Sequence, residues 1–296
     1  MVPAVVSRFA QMKGASGSAL RTLFSRLDVT HGSVICSSPS SATFGTTSAN
    51  LNDDDGWLSK LLVRKIDTGK GSHSRLLSDK ESIYELTTHN VKPSRMDDYI
   101  KAYGDFVELV KEKDNVRMEL AGSWVVGVGD QDQVLHLWRH SNGFAGVDET
   151  AAVMRCDKDF AALRNKRTPF LRSRRTQYLL SFSYWPPIRF RPGSNLYEIR
   201  SYTLKPGTMI EWGNNWARGI GHRTGNDAPY AGFFSQIGVL YQVHHIWTYE
   251  SLAARKNTRE SAWQNSGWDK CVANTVPLIR HMETRIMAPT PFSPTK

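Results

Sequence analysis

Cysteine is scarce. The 296 residues hold three, Cys36, Cys156 and Cys271, far apart and without a C-x-x-C pair. That spacing supports neither a disulfide framework nor a cysteine-held zinc site and points to a reducing compartment. Long apolar runs are also missing: no stretch reaches the roughly 18 residues that a membrane-spanning helix needs. The histidines lack the H-E-x-x-H spacing that holds zinc, and His244 and His245, adjacent in a strand pattern, point to opposite faces, so no metal is expected. Gly127-Val128-Gly129 and Gly219-Ile220-Gly221 each offer two glycines, too few for a phosphate-binding loop. A G-x-S-x-G elbow is absent, which leaves acyl transfer without support. No catalytic residue and no cofactor are expected.

Acid is missing from the beginning of the chain. Before Asp28 the only charged side chains are Arg8, Lys13, Arg21 and Arg26, interleaved with Val5, Val6, Phe9, Leu20, Leu23 and Phe24. The arginines interrupt any secretory h-region, and an Arg- and Ser-rich, acid-poor amphipathic start has the composition of a mitochondrial transit peptide. Residues 33–48 add nine Ser/Thr and little that could pack a core. Residues 1–50 are therefore expected to be transit peptide and disordered Ser/Thr-rich segment, followed by an N-terminal extension over 51–81. Loss of the four early cations lowers the formal net charge from +10 to +6.

What is present is a repeat. Ile83-Tyr84-Glu85-Leu86 and Leu196-Tyr197-Glu198-Ile199 begin two parallel segments; Val91-Lys92-Pro93 answers Leu204-Lys205-Pro206, and Gln133 to Trp138 answers Gln242 to Trp247. Each copy is about 100 residues, a domain-sized period. Within each, hydrophobic periodicity spells strand, helix, strand, strand, helix, strand. Ser94 and Thr208 are expected to cap the first helix of each copy. The hairpins fall at 122–139 and 232–249, polar helical stretches at 144–168 and 250–273, and last strands at 174–184 and 278–287. The fold class is α+β, two tandem ferredoxin-like domains of β-α-β-β-α-β topology, over 82–184 and 195–289, packing sheet on sheet. A Pro/Gly-rich linker over 185–194 separates them, and 290–296 is a tail.

Period-two geometry places His136 with Trp138, and His245 with Trp247, each on one strand face. Were that face concave, they would line an inter-sheet pocket with Tyr84, Glu198 and Arg280. From Phe160 to Arg191 there are eight Lys/Arg and no acid, a stretch, 164–191, that could touch anionic lipid head groups as peripheral membrane contact. Without an RNP-like or zinc-finger context, nucleic acid is not an expected partner. Asp157-Lys158-Asp159-Phe160-Ala161-Ala162-Leu163 has the form of a short peptide that adds a strand to an autophagy adaptor, although Phe160 and Leu163 are also i, i+3 partners on a helix.

Longer stretches carry a family likeness. Tyr197-Glu198-Ile199-Arg200, Leu204 to Arg218 (LKPGTMIEWGNNWAR), Gly232-Phe233-Phe234-Ser235-Gln236-Ile237-Gly238, Val243-His244-His245 and Thr275 to Glu283 (TVPLIRHME) resemble the NipSnap family. So do Asn90-Val91-Lys92-Pro93 and Val134 to Arg139, and the likeness covers roughly residues 57–292. The resemblance implies a mitochondrial protein of two dimeric α+β barrel domains, resident in the matrix. It further implies display on the surface of depolarised mitochondria, where such proteins recruit autophagy adaptors and other mitochondrial partners, and roles in vesicle traffic. No catalytic residues are established for that family, so the expected function is a non-enzymatic interaction scaffold in mitochondrial quality control, possible as a homo-oligomer. The alternative is a small-molecule-binding or enzymatic α+β barrel protein of mitochondrial metabolism.

Overall fold

The structure, a computed structural model, describes residues 72–223 and 228–296. The expected transit peptide and most of the N-terminal extension lie outside the described residues, as does Cys36. Among the described residues Cys271 is free and buried.

The first repeat runs β1 (Ile83–Val91), α1 (Met96–Glu112), β2 (Met118–Val128), β3 (Gln133–His140), α2 (Gly143–Cys156), α3 (Lys158–Arg167) and β4 (Leu171–Ser181). The second runs β5 (Leu196–Leu204), α4 (Met209–Gly219), β6 (Pro229–Ile237), β7 (Gln242–Tyr249), α5 (Leu252–Trp263), α6 (Trp268–Thr275) and β8 (Ile279–Pro289). The duplicated pattern is therefore present, with refinements. Each polar helical stretch is two helices. In the first repeat the break is at Asp157, whose carboxylate caps α3 by accepting from the backbone of Asp159 and Phe160. In the second it is at Gly267, whose φ of +100° suits glycine. Ser94 does not cap α1, because Pro93–Arg95 form a 3-10 turn first. Thr208 does stand at the start of α4, but its hydroxyl donates to the Lys205 carbonyl (2.7 Å) instead of closing a capping box.

The expectation of two separate domains packed sheet on sheet is corrected. All eight strands form one closed barrel in the order β1-β3-β2-β8-β5-β7-β6-β4. Each repeat contributes four consecutive staves, and two antiparallel seams join them: β2 with β8 (Trp124 opposite Pro289) and β4 with β6 (Ser181 opposite Phe233). The reason is hydrogen bonding at edges. A lone four-stranded sheet leaves two rows of unpaired backbone groups, and closure removes both.

Alternation sorts the side chains into two environments. The barrel interior is filled by Tyr84, Leu86, Trp124, Leu137, Tyr197 and Tyr230 among others. Toward one end a polar chain crosses it: Asn90 donates to Ser173 (2.6 Å), Gln133 to Asn90 (2.8 Å), and Arg285 to both Gln133 (2.6 Å) and Ser201 (3.2 Å). His244 continues it between Ser201 (2.9 Å) and Gln177 (3.1 Å). The outer faces are covered by helices. Helix α1 buries Tyr99, Tyr103, Phe106, Val107 and Val110 on the first repeat, each large apolar side chain contributing about 1.5–3 kcal/mol. Among the described residues no helix is long and apolar enough to cross a membrane.

Neither the linker nor the tail is loose. Trp185, 2% exposed, packs under the second repeat, and the Thr295 hydroxyl lies 2.5 Å from the Tyr197 hydroxyl while accepting from the Arg191 amide.

Candidate functional site

The anticipated inter-sheet pocket does not form. Tyr84 faces the filled interior, whereas His136 and Trp138 point outward under α1, and Glu198, His245 and Trp247 point outward under the second repeat's helices. Arg280 is exposed on β8. Five of the seven thus fall into two matching layers between barrel wall and helices, His136 and Trp138 in one and Glu198, His245 and Trp247 in the other, while Tyr84 and Arg280 belong to neither. Phe160 is buried on α3 against Phe106 (ring centroids 5.8 Å apart), and Leu163 packs against the same cluster, so this segment is a helix of the core and not an extended docking peptide. Within the basic stretch, Lys166 pairs with Asp105 (2.9 Å) and Arg167 lies over Phe106 (4.1 Å).

In the first layer the polar atoms around His136 are matched. The Tyr99 hydroxyl sits between His89 Nδ1 (2.5 Å) and His136 Nε2 (2.7 Å), serving one ring as donor and the other as acceptor. Ser123 meets the other nitrogen of His136 (2.9 Å), and Tyr103 stacks on that imidazole at 3.5 Å. The Trp138 indole donates to the Tyr103 hydroxyl (3.0 Å). Glu85 and His140 close the far side at 3.0 Å. A cavity of about 330 Å³ opens beside this network. Burial, then the charges of Arg167 and Arg174, hold His89 down to about 3; burial, then His89 and Arg167, hold His136 well below the usual imidazole range. Both rings are neutral at physiological pH.

The second layer has the same frame and different atoms. Strand register makes Gly232 the counterpart of Ser123, facing His245 as Ser123 faces His136. Trp212 follows Pro206 by the same interval as Tyr99 follows Pro93. Both polar partners of the histidine are therefore gone, and neither ring nitrogen of His245 has a hydrogen-bond partner. Glycine at 232 is a packing requirement: a Cβ there would stand 2.2 Å from the Trp185 ring, which lies 4.5 Å from His245. Trp216 meets His245 edge-on at 4.5 Å. Burial, then the charges of Arg200, His244 and Arg223, depress His245 well below the usual range.

Cations replace the hydroxyls. Arg200 takes the register position of Thr87, opposite the histidine. Arg223 lies over the Trp247 ring at 4.5 Å and donates to the Tyr249 hydroxyl (3.3 Å). Glu198 accepts two hydrogen bonds from Arg255 (2.8 and 2.7 Å) and one from Thr284 (2.7 Å). Burial alone would raise its carboxyl, but these bonds and the Arg200 charge hold it below the usual range. The sequence pointed to Glu198, His245 and Trp247 but not to Arg200, Arg223 or Arg255. Alternation could have found Arg200, two residues from Glu198 on one strand face; the others come from the end of a helical turn and from α5. Among the described residues no three His, Cys, Asp or Glu side chains gather to hold a metal ion.

A third feature is the second hairpin's tip. Ile237, Val239, Leu240 and Tyr241 are 52%, 38%, 58% and 39% exposed. Leu240 and Tyr241 also line a cleft of about 590 Å³ with Leu77, Pro206, Met209 and Ile210. The first hairpin's tip shows only Val128.

The barrel resembles two solved structures in fold alone. A candidate monooxygenase of Lactobacillus acidophilus has a TM-score of 0.52 at 6% identity, over 71% of this chain and 95% of that one. An anthrone oxidase-like protein has 0.52 at 10% identity, over 72% and 93%. Sequence similarity goes further. Protein NipSnap of Drosophila melanogaster is 57% identical over 252 residues, covering 85% of this chain and 92% of that protein. Protein NipSnap homolog 2 of Homo sapiens is 45% identical over 251 residues, covering 84% and 88%. The NIPSNAP family model matches residues 84–186 and 197–294, one match per repeat, and the chain belongs to the NIPSNAP family.

Proposed function

We propose that this chain is a mitochondrial protein-interaction scaffold in quality control: a non-enzymatic matrix protein that, left outside when the membrane potential falls, recruits autophagy adaptors, with a further role in vesicle traffic. The observation that carries the interaction reading is the apolar tip Ile237, Val239, Leu240 and Tyr241 beside an open cleft, a contiguous surface of the kind that protein contacts cover. Family membership and the acid-free basic start support the setting. The potential acts on each early cation with about 2.3 kcal/mol per 100 mV, so four cations make import steeply dependent on it.

The test replaces Arg8, Lys13, Arg21 and Arg26 with Gln in the full chain. Expected is retention outside polarised mitochondria and co-precipitation of autophagy adaptors, which the unaltered chain shows only after depolarisation; a Leu240→Asp change should reduce that capture. Matrix import of the neutralised chain, or exposed protein that captures no adaptor, overturns the reading.

A further inference from the structure

The unmatched donors of the second repeat converge on one place. A cavity of about 140 Å³ lies between the barrel wall and α4, α5 and α6, walled by Trp212, Trp216 and Trp247 together with Arg200, Arg223 and Arg259. No carboxylate of the described residues lines it, and Glu198, two residues before Arg200 on the same strand face, is already taken by Arg255 and Thr284. Arg200 comes only to 3.8 Å of it, and Arg223 and Arg259 have no carboxylate partner among the described residues. Trp212 and Trp247 are each 1% exposed, yet their indole N–H groups lack acceptors, as do Nε of Arg200 and Arg223. Buried donors without acceptors, and buried cations without counter-charge, are costly arrangements. A ligand with a negative charge and acceptor oxygens relieves both costs at once.

We propose that this cavity binds a small aromatic carboxylic acid, its ring among the indoles and its carboxylate against Arg200 and Arg223, with Arg259 at the mouth. Indole faces favour a flat ring, and the planar guanidinium fork matches a carboxylate. The volume is below the roughly 300–1,000 Å³ of drug-sized sites, which limits the ligand to about one ring. Mutual repulsion among the arginines favours an anion over a neutral compound of equal shape: burial, then Arg200 and Arg255, make Arg259 less basic than usual, and burial with Arg200 does so for Arg223. The matching cavity of the first repeat is also lined by arginines, Arg164, Arg167 and Arg174, but Glu85 lines it too, and its histidines, tyrosines and the Trp138 indole satisfy one another, so it lacks the unmatched indole donors of the second. The proposal is independent of the scaffold reading.

The experiment is calorimetric titration of the full chain with benzoate and, separately, with benzyl alcohol, which keeps the ring and lacks the charge. Expected is one benzoate site, with benzyl alcohol weaker by about tenfold or more. Arg200→Met and Arg259→Met should each weaken benzoate by about tenfold, while Arg164→Met, an exposed change beside the first repeat's cavity, should leave it unaltered. Arg259 is only half-buried, so its variant keeps the test valid if Arg200→Met does not fold, as near-UV circular dichroism would show. Equal affinity for the two probes, absence of benzoate binding at millimolar concentration, or benzoate affinity unchanged in both second-repeat variants overturns the proposal.

Discussion

The two repeats hold their key histidine at the same register and treat it in opposite ways. His136 has a hydroxyl on each ring nitrogen and a stacked tyrosine; His245 sits in a box of tryptophans with both nitrogens unmatched. The whole difference follows from few positions: Tyr99 against Trp212, Ser123 against Gly232, Thr87 against Arg200. One layer is a closed hydrogen-bond network, which rigidifies. The other leaves buried indole and guanidinium donors unmatched among cations, the chemistry on which the proposed carboxylate site rests. Two halves of one fold can therefore share every strand pairing and differ in what they are able to do.

The largest expected effect tests what the repeats share. Each holds two histidines of depressed basicity, His89 and His136 in the first, His244 and His245 in the second, with His89 and His244 held down to about 3 by desolvation first and arginine charges second. Unfolded imidazoles take up protons below about pH 6.5 and the folded ones do not until about 3. The unfolded state thus binds more protons in that window, and stability, complete above it, falls as pH drops through it. At pH 5 each such histidine should cost about 2 kcal/mol, so the urea midpoint should decline steeply from pH 7 to 5. A flat profile would contradict the shared burial, and hydrogen exchange showing one repeat opening alone at pH 5 would break the comparison at its base.

A smaller effect should separate the two layers. His136→Phe strands the Tyr99 and Ser123 hydroxyls and is expected to cost about 2 kcal/mol, whereas His245→Phe removes two unmatched nitrogens and should stay within about 1 kcal/mol of neutral. Equal costs in denaturant melts would mean that His245 has partners of its own. The smallest effect is on the surface. Glu119→Gln, opposite Arg139, and Glu260→Gln, opposite Lys256, break exposed ion pairs and should each shift stability by less than about 1 kcal/mol in thermal melts. A larger loss at either would make surface charge part of the difference between repeats.

Much of the fold could be read in the chain because duplication and alternation are local signals. Tyr84-Glu85-Leu86 and Tyr197-Glu198-Ile199 announce matching strands, and their hairpins and helices follow in order. A barrel was implied by the family resemblance but was not readable from the residue pattern, since the β2–β8 and β4–β6 seams that close a single barrel pair segments far apart and depend on which edges are free, not on side-chain alternation. The site was half readable. Alternation put His136 with Trp138 and His245 with Trp247 correctly on common faces, but could not say whether that face looked inward or toward helices. It therefore joined Tyr84, which looks inward, to residues that look outward. Arg223 and Arg255 were hidden because their approach to Glu198 and Trp247 is made by separate elements. Phe160 misled because a helical core pair and a docking peptide share the same spacing.

The segment 185–194, which ties the halves together and lends Trp185 to one of them, has an evolutionary consequence. A barrel assembled from two identical half-chains would carry every substitution twice, so a change that placed arginines under one set of helices would place them under both. Covalent fusion ends that obligation. Each gene copy holds two independently heritable versions of the same layer, and one can drift toward a new ligand while its twin keeps the barrel standing.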